Sequence, residues 1–189
     1  MNELLQFLKS IYPFSDELEQ FLRKNLHVKV LKRNELLLKA GTVCKNVYFI
    51  KTGAFRSFYY NDEGQETNTW FMKEGDVILS VESFFRQKLS TESIISIEGS
   101  EVHFIDYDTL QLLYRNFLEF NVISRVLLEH YYILSEQRLY AVRLKTAREK
   151  YHWLMQNFPE MILRIPSKYL ASYLGMSAET FSRVKLVSK

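Results

Sequence analysis

Cysteine is nearly absent from this chain. Its 189 residues include one, Cys44. No intramolecular disulfide can form, and one chain cannot supply four thiolates to an iron–sulfur cluster. A reducing cytoplasm is the expected setting. Glycine and proline are also scarce, with six and three in all and neither between Ser100 and Phe158. That gap argues against a loop-rich second half and predicts helix from about Tyr107 onward. No run approaches the ~18 uncharged apolar residues of a membrane span. The opening MNELLQFLKS carries Glu3 and Lys9 rather than a signal-like apolar stretch. The four histidines, His27, His103, His130 and His152, show neither H-x-H nor H-E-x-x-H spacing, so no metal or other cofactor is expected. A single haem ligand from His103 or Cys44 has no supporting motif. Glu98 and Glu101 read as strand-turn carboxylates rather than an acid/base pair. With no phosphate-cradling glycine loop either, an enzyme is not expected.

Aromatics, at 15% of residues, are what the first half has in plenty. Gly41, Gly53, Gly64 and Gly75 recur at spacings of 12, 11 and 11. Between them lie the strand-like runs 46–52, 54–61 and 67–73, rich in aromatic and β-branched residues. Asn61-Asp62-Glu63-Gly64 is a hairpin turn by composition. Further strands are expected at 92–98 and 101–106. Short strands at this regular spacing predict a β-barrel or sandwich. Ahead of it, 2–11 and 16–27 read as amphipathic helices separated by Pro13.

The glycine-free half carries a heptad. Ile123, Leu127, His130, Leu134, Gln137, Ala141 and Leu144 alternate at steps of 4 and 3, the period of a two-helix coiled coil. The seam can pack on the barrel or meet a second copy. Because Val122, Val126, Leu128, Tyr131, Tyr132 and Ile133 add apolar character on other faces, dimerisation is the favoured reading. Residues 143–157 continue as another helix with Ala147, Tyr151, Leu154 and Met155 inward, ended by Pro159.

The last segment, SKYLASYLGMSAETFSRVK from Ser167 to Lys185, reads as two short helices around Gly175. Ala171 allows close approach, Gly175 supplies a positive φ, and Leu170, Leu174, Phe181 and Val184 seal the angle between the helices. This spacing is that of a helix-turn-helix. Ser177 is the expected N-cap, and Glu179 suits the first turn. The second helix offers Ala178, Glu179, Ser182, Arg183 and Lys185 outward. Arg183 can fork onto guanine, and Glu179 can accept from cytosine N4. Net charge agrees: the chain is +3, whereas residues 161–189 hold Arg164, Lys168, Arg183, Lys185 and Lys189 against Glu179, a balance of +4. A polyanionic partner fits such an end.

In this order of parts the chain resembles the Crp/Fnr superfamily of bacterial transcription regulators, from about residue 5 to residue 186. The likeness rests on Gly41, on Val47–Gly53, on Asn61–Gly64 and Glu74-Gly75-Asp76, and on Arg164-Ile165-Pro166 with Ala171–Gly175 and Ser177–Arg183. Ser-Phe-Phe after the glycine-aspartate motif and Arg-Ile-Pro before the hairpin resemble the branch common in Bacteroidetes. The resemblance implies an α+β protein: a cyclic-nucleotide-binding-like jelly-roll barrel over residues 1–115, a long dimerisation helix over 116–144 and a helix-turn-helix domain over 145–189. It implies a homodimer on an inverted-repeat site in double-stranded DNA, with RNA polymerase as a further partner and no membrane. Ser167, Lys168, Ser177, Ala178, Glu179, Thr180, Ser182, Arg183 and Lys185 would form the DNA surface, Glu179 and Arg183 on bases and Ser177 and Thr180 on phosphate. Ala178 stands where cyclic-AMP-dependent relatives carry a further arginine.

The effector pocket would involve Ser80, Glu82, Ser83, Ser90, Thr91 and Tyr132. It departs from the family pattern, because Leu79–Ser83 lacks the ribose-binding Gly-Glu pair and Ser90 stands where the phosphate arginine belongs. A buried phosphate without a cation is costly. Cyclic AMP in its usual pose is therefore not expected, and the effector is left unassigned. The alternative reading is a cyclic-nucleotide- or small-ligand-binding interaction module whose terminal hairpin contacts protein rather than DNA.

Overall fold

The computed structural model describes residues 1–187; Lys189, counted in the basic end, lies outside them. Two helices lead, α1 (Asn2–Ile11) and α2 (Asp16–Asn25). Leu4, Leu5 and Leu8 form the buried stripe of the first, Leu18 and Leu22 that of the second, at the spacing a one-sided helix needs. Ser15 caps α2 by accepting from the Leu18 amide at 3.2 Å, and three acidic residues in the first turn complement the helix dipole. His27, expected at the end of that helix, instead opens a strand.

Eight strands follow: β1 (His27–Leu31), β2 (Leu36–Leu38), β3 (Asn46–Thr52), β4 (Phe55–Tyr60), β5 (Glu66–Met72), β6 (Val77–Ile78), β7 (Ser93–Ser96) and β8 (Ser100–Asp106). They form two four-stranded sheets in the orders β1-β8-β3-β6 and β2-β7-β4-β5, a jelly-roll-like arrangement. In the first, β8 runs antiparallel to both neighbours, with Lys29 and Ile50 each opposite Val102. Tyr48, Phe49 and Ile50 are buried in succession because β3 is covered on both faces; Phe7 of α1 stacks on Phe49 with ring centres 5.6 Å apart. Gly53 is required where β3 turns toward β4. Its φ is +102°, and a Cβ there would lie 2.0 Å from Ser100 Oγ. One short helix, α3 (Val81–Arg86), interrupts the strands. Neither it nor β1, β2 and β6 was marked by spacing, since each is short and lacks alternation.

Helix takes over at Tyr107, as the missing glycines imply. The elements are α4 (Tyr107–Asn116), α5 (Leu118–Arg143), α6 (Ala147–Asn157), α7 (Pro159–Arg164), α8 (Ser167–Tyr173) and α9 (Ala178–Val187). α6 ends at Asn157, just ahead of Pro159 as expected, and Pro159 itself opens α7, since proline suits the first helical position. Tyr151 and Leu154 are buried on α6, but Met155, expected inward, is exposed.

By contacts the chain divides into two compact units, Met1–Ser57 with Phe71–Glu129, and Phe58–Trp70 with the chain from His130 onward. The outer part of the β4–β5 hairpin thus groups with the C-terminal helices, and α5 contributes to both units. No sequence boundary drawn from composition could place a hairpin with helices that follow it by some seventy residues.

The heptad on α5 needs correction. Ile123 and Ala141 are fully buried within their own chain and are not free to meet a partner. Leu127, Leu134 and Leu144 are half-buried, and His130 and Gln137 are exposed. The large exposed apolar side chains of α5 are Leu118, Val126, Leu128, Tyr132, Ile133, Leu139 and Tyr140. Apolar residues at several helical faces made two stripes of equal period, and the sequence pattern selected the one turned inward at its ends. Val126, His130, Ile133, Gln137, Tyr140 and Leu144 keep the same steps of 4 and 3 on the outer side.

Candidate nucleic-acid interface

α8 and α9 meet through a fully apolar seam. Leu170, Ala171, Leu174 and Phe181 are buried to within 1% of complete, and Phe181 meets Tyr151 of α6 edge-on at 5.5 Å. Between the helices Gly175 takes φ +64°, and its amide and that of Met176 return to Ser172 O and Ala171 O at 3.0 Å. Those bonds close the end of α8, as positive-φ glycine caps do. Lys150 of α6 adds a charge-assisted bond to Leu174 O at 2.9 Å. Val184, the last expected sealing residue, is half-buried.

The outer face of α9 stays polar and open. Ser177 Oγ accepts from the Thr180 amide at 3.1 Å and donates to Thr180 Oγ1 at 3.1 Å. Thr180 stays half-exposed beside this cap, where its hydroxyl can turn toward a phosphate. Ser177, Ala178, Glu179, Ser182 and Arg183 are exposed; Thr180 and Lys185 are half-exposed. Hydrogen bonding by its own backbone amide, then by Ser177, holds the Glu179 carboxyl below its ordinary value, so it is an obligate acceptor near neutrality. On α8, Lys168 is exposed with its Nζ 4.8 Å from the centre of the Tyr169 ring, and Ser167 is half-exposed. All nine residues named from sequence thus lie on α8, α9 and the turn between them with a polar face at least partly open.

The expected effector residues are arranged otherwise. Ser80, Ser83 and Ser90 are buried. Ser83 Oγ accepts from the Cys44 amide at 2.9 Å and donates to Lys88 O at 2.5 Å. Ser90 Oγ contacts Ser80 Oγ at 3.0 Å and Glu92 O at 2.7 Å. These hydroxyls brace the loop after α3. Glu82 pairs with Arg86 at 3.2 Å on the surface, Thr91 is exposed, and Tyr132 is 68% exposed on α5. The barrel's buried arginine, Arg56 on β4, escaped sequence reasoning because a charged residue inside a strand-like run is ordinarily assigned outward. Cys44 is buried, and burial pushes its thiol up. His103 is buried, and burial followed by the Met1 ammonium lowers its pKa. Among the described residues no three His, Cys, Asp or Glu side chains converge as a metal site, and no helix is long and apolar enough to cross a membrane.

Sequence reasoning also passed over Arg138, Asn68 and Ser172. Arg138 of α5 lies over the Tyr173 ring at 4.8 Å and donates to Asn68 O at 3.3 Å. Ser172 Oγ bonds the Asn68 amide at 3.0 Å and Glu66 O at 3.1 Å. These partners are too distant in sequence for any local pattern to reveal.

Residues 28–117 match the cyclic nucleotide-binding domain family. Over 185 residues the chain is 24% identical to the transcriptional activator protein Anr of Pseudomonas protegens, covering 89% of this chain and 72% of that protein. The structure of FixK2 from Bradyrhizobium japonicum superposes with a TM-score of 0.71 at 20% identity, covering 86% of this chain and 83% of the other. A transcriptional regulator of the crp/fnr family from Eubacterium rectale gives 0.73 at 14% identity, with 94% and 87% covered.

Proposed function

We propose that this chain is a transcription regulator of the Crp/Fnr superfamily that binds double-stranded DNA as a homodimer in the cytoplasm and catalyses no reaction. The observation that carries this reading is the outer face of α9. There Ser177, Glu179, Thr180, Ser182 and Arg183 are presented outward while Phe181, on the opposite face, is fully buried. A helix so anchored can enter a major groove without disturbing its own core. The stripe Val126, His130, Ile133, Gln137 and Tyr140, exposed on α5 and continued by the half-buried Leu144, is the proposed coiled-coil seam, with His130 and Gln137 fixing register. Two such heads related by a two-fold axis read an inverted repeat with half-sites ~34 Å apart.

The barrel does not take cyclic AMP in its usual pose. Ser80, Ser83 and Ser90 are engaged with backbone and with one another, and Arg86 pairs with Glu82 on the surface. Selection of genomic fragments by the purified protein, followed by sequencing, tests the reading. The expected result is enrichment of one inverted-repeat sequence, with binding that weakens steeply as salt rises. Enrichment of no sequence would move the reading to a protein-binding hairpin.

A further inference from the structure

β5 is the last strand of its sheet, so one edge of its backbone faces no strand. Open edges of this kind need to be covered or blunted. Here two side chains, Ser172 and Arg138, contribute to the cover. Ser172 Oγ, on α8, accepts from the Asn68 amide at 3.0 Å and donates to Glu66 O at 3.1 Å. Arg138 Nη2, on α5, donates to Asn68 O at 3.3 Å. Glu66 and Asn68 are two apart, so these three backbone groups point to the same side of the strand. Asn68 itself is fully buried.

Arg138 also reaches α8. Its guanidinium sits 4.8 Å from the Tyr173 ring centre and hydrogen-bonds the Tyr173 side chain, which burial pushes up to about 12. α5, the β4–β5 hairpin and α8 therefore meet at one polar junction. Fixing α8 fixes α9, because Leu170, Leu174 and Phe181 seal the two helices together. The junction is not fully satisfied, since the buried Arg138 Nε has no hydrogen-bond partner. Undocking would return that group to water, an opposing term that keeps the dock reversible.

We propose that Ser172 and Arg138 are positioning residues for DNA recognition, docking α8 on the open edge of β5 and thereby setting the orientation of α9 relative to α5. This rests on the DNA-binding reading above. A dimer whose heads are held in one orientation matches one half-site spacing; heads that swivel match several spacings, each less well.

Full-length protein and its Ser172→Ala, Ser172→Thr and Arg138→Gln variants are compared on three duplexes: the selected inverted repeat, the same site with one base pair inserted between half-sites, and a random sequence. Ser172→Ala is expected to lose about tenfold on the inverted repeat, equivalent to about 1.4 kcal/mol. It should be less sensitive to the insertion and unchanged on random DNA. Ser172→Thr, which keeps the hydroxyl, restores the wild-type pattern, and Arg138→Gln gives the Ser172→Ala pattern. Hydrogen exchange without DNA reads the dock itself, the Asn68 amide exchanging about tenfold faster in Ser172→Ala while the α8 amides stay protected. Unaltered Asn68 protection together with an unaltered spacing preference would overturn the proposal. So would equal losses on all three duplexes, which mark general weakening. A wild-type protein that shifts no duplex overturns the DNA reading and the positioning role with it, while the Asn68 exchange still reports whether the dock exists.

Discussion

The segment 80–90 around α3 and the outer face of α9 are built from the same kinds of residue, and they do opposite things with them. Ser80, Ser83 and Ser90 are buried, with their hydroxyls engaged by neighbouring backbone and by one another. Ser177 and Thr180 also bond each other, but on a helix start whose side chains remain open to solvent. Glu82 and Arg86 neutralise each other one turn apart, whereas Glu179 and Arg183, at the same spacing, form no ion pair of this kind and stand open on α9. The lesson is that residue type nominates a site, but hydrogen-bond saturation decides whether it has anything left to offer a ligand.

The largest effect should come from removing the anchor that lets α9 present that face. Phe181 is fully buried against Tyr151, so Phe181→Ala should destabilise the C-terminal unit by about 3–5 kcal/mol, seen as an early unfolding transition in calorimetry. Next is the seam proposed to pair two heads. Ile133→Asp with Tyr140→Asp places charges on the exposed stripe and should halve the mass in light scattering, with loss of about 100-fold or more on the inverted repeat, because each head then binds alone. Ala141→Ser, on the inward stripe, should leave the mass unchanged.

In the barrel loop the expected effect is on stability. Ser83→Ala removes the acceptor of the buried Cys44 amide and should lower stability by about 1–3 kcal/mol. Calorimetry should detect no micromolar binding of cyclic AMP to the wild type. A micromolar constant would mean that the loop hydroxyls are not committed to the fold.

The smallest effect is a pH dependence. The Tyr173 phenol is raised from 10 to about 12 by burial. A folded pKa above the unfolded one means this stability is fully present below pH 10 and is lost as pH rises through about 12. Tyr173→Phe should lack that alkaline loss in a urea midpoint measured across pH 9–12, and show only a small change at pH 7.

Much of this was legible in the sequence. Helix-turn-helix spacing depends on contacts within nineteen residues, so Ala171, Gly175 and Phe181 declare it locally. β3, β4, β5 and β8 are aromatic-rich and bounded by turn residues. What stayed hidden depends on long-range burial. Ile123 and Val126 look alike on a heptad, yet only the folded chain shows which of them turns inward. Ser83 and Ser177 are both serines beside a helix start, and only contacts to residues far along the chain separate them. Ser172 and Asn68 lie 104 residues apart and leave no periodic trace.

The most direct measurement is the affinity of Arg183→Ala for the selected inverted repeat and for a random duplex, across a range of salt. Arg183 is exposed on α9, so the fold should be unchanged. Loss of a bidentate base contact should weaken the selected site by about 1–3 kcal/mol, relax preference at one base pair per half-site and leave random DNA nearly unaffected. Lys185→Ala, by contrast, should weaken both duplexes alike and reduce the salt slope by about 1 per site. Equal weakening of both duplexes by Arg183→Ala, or no change on either, would contradict the assignment of α9 as the helix that reads sequence.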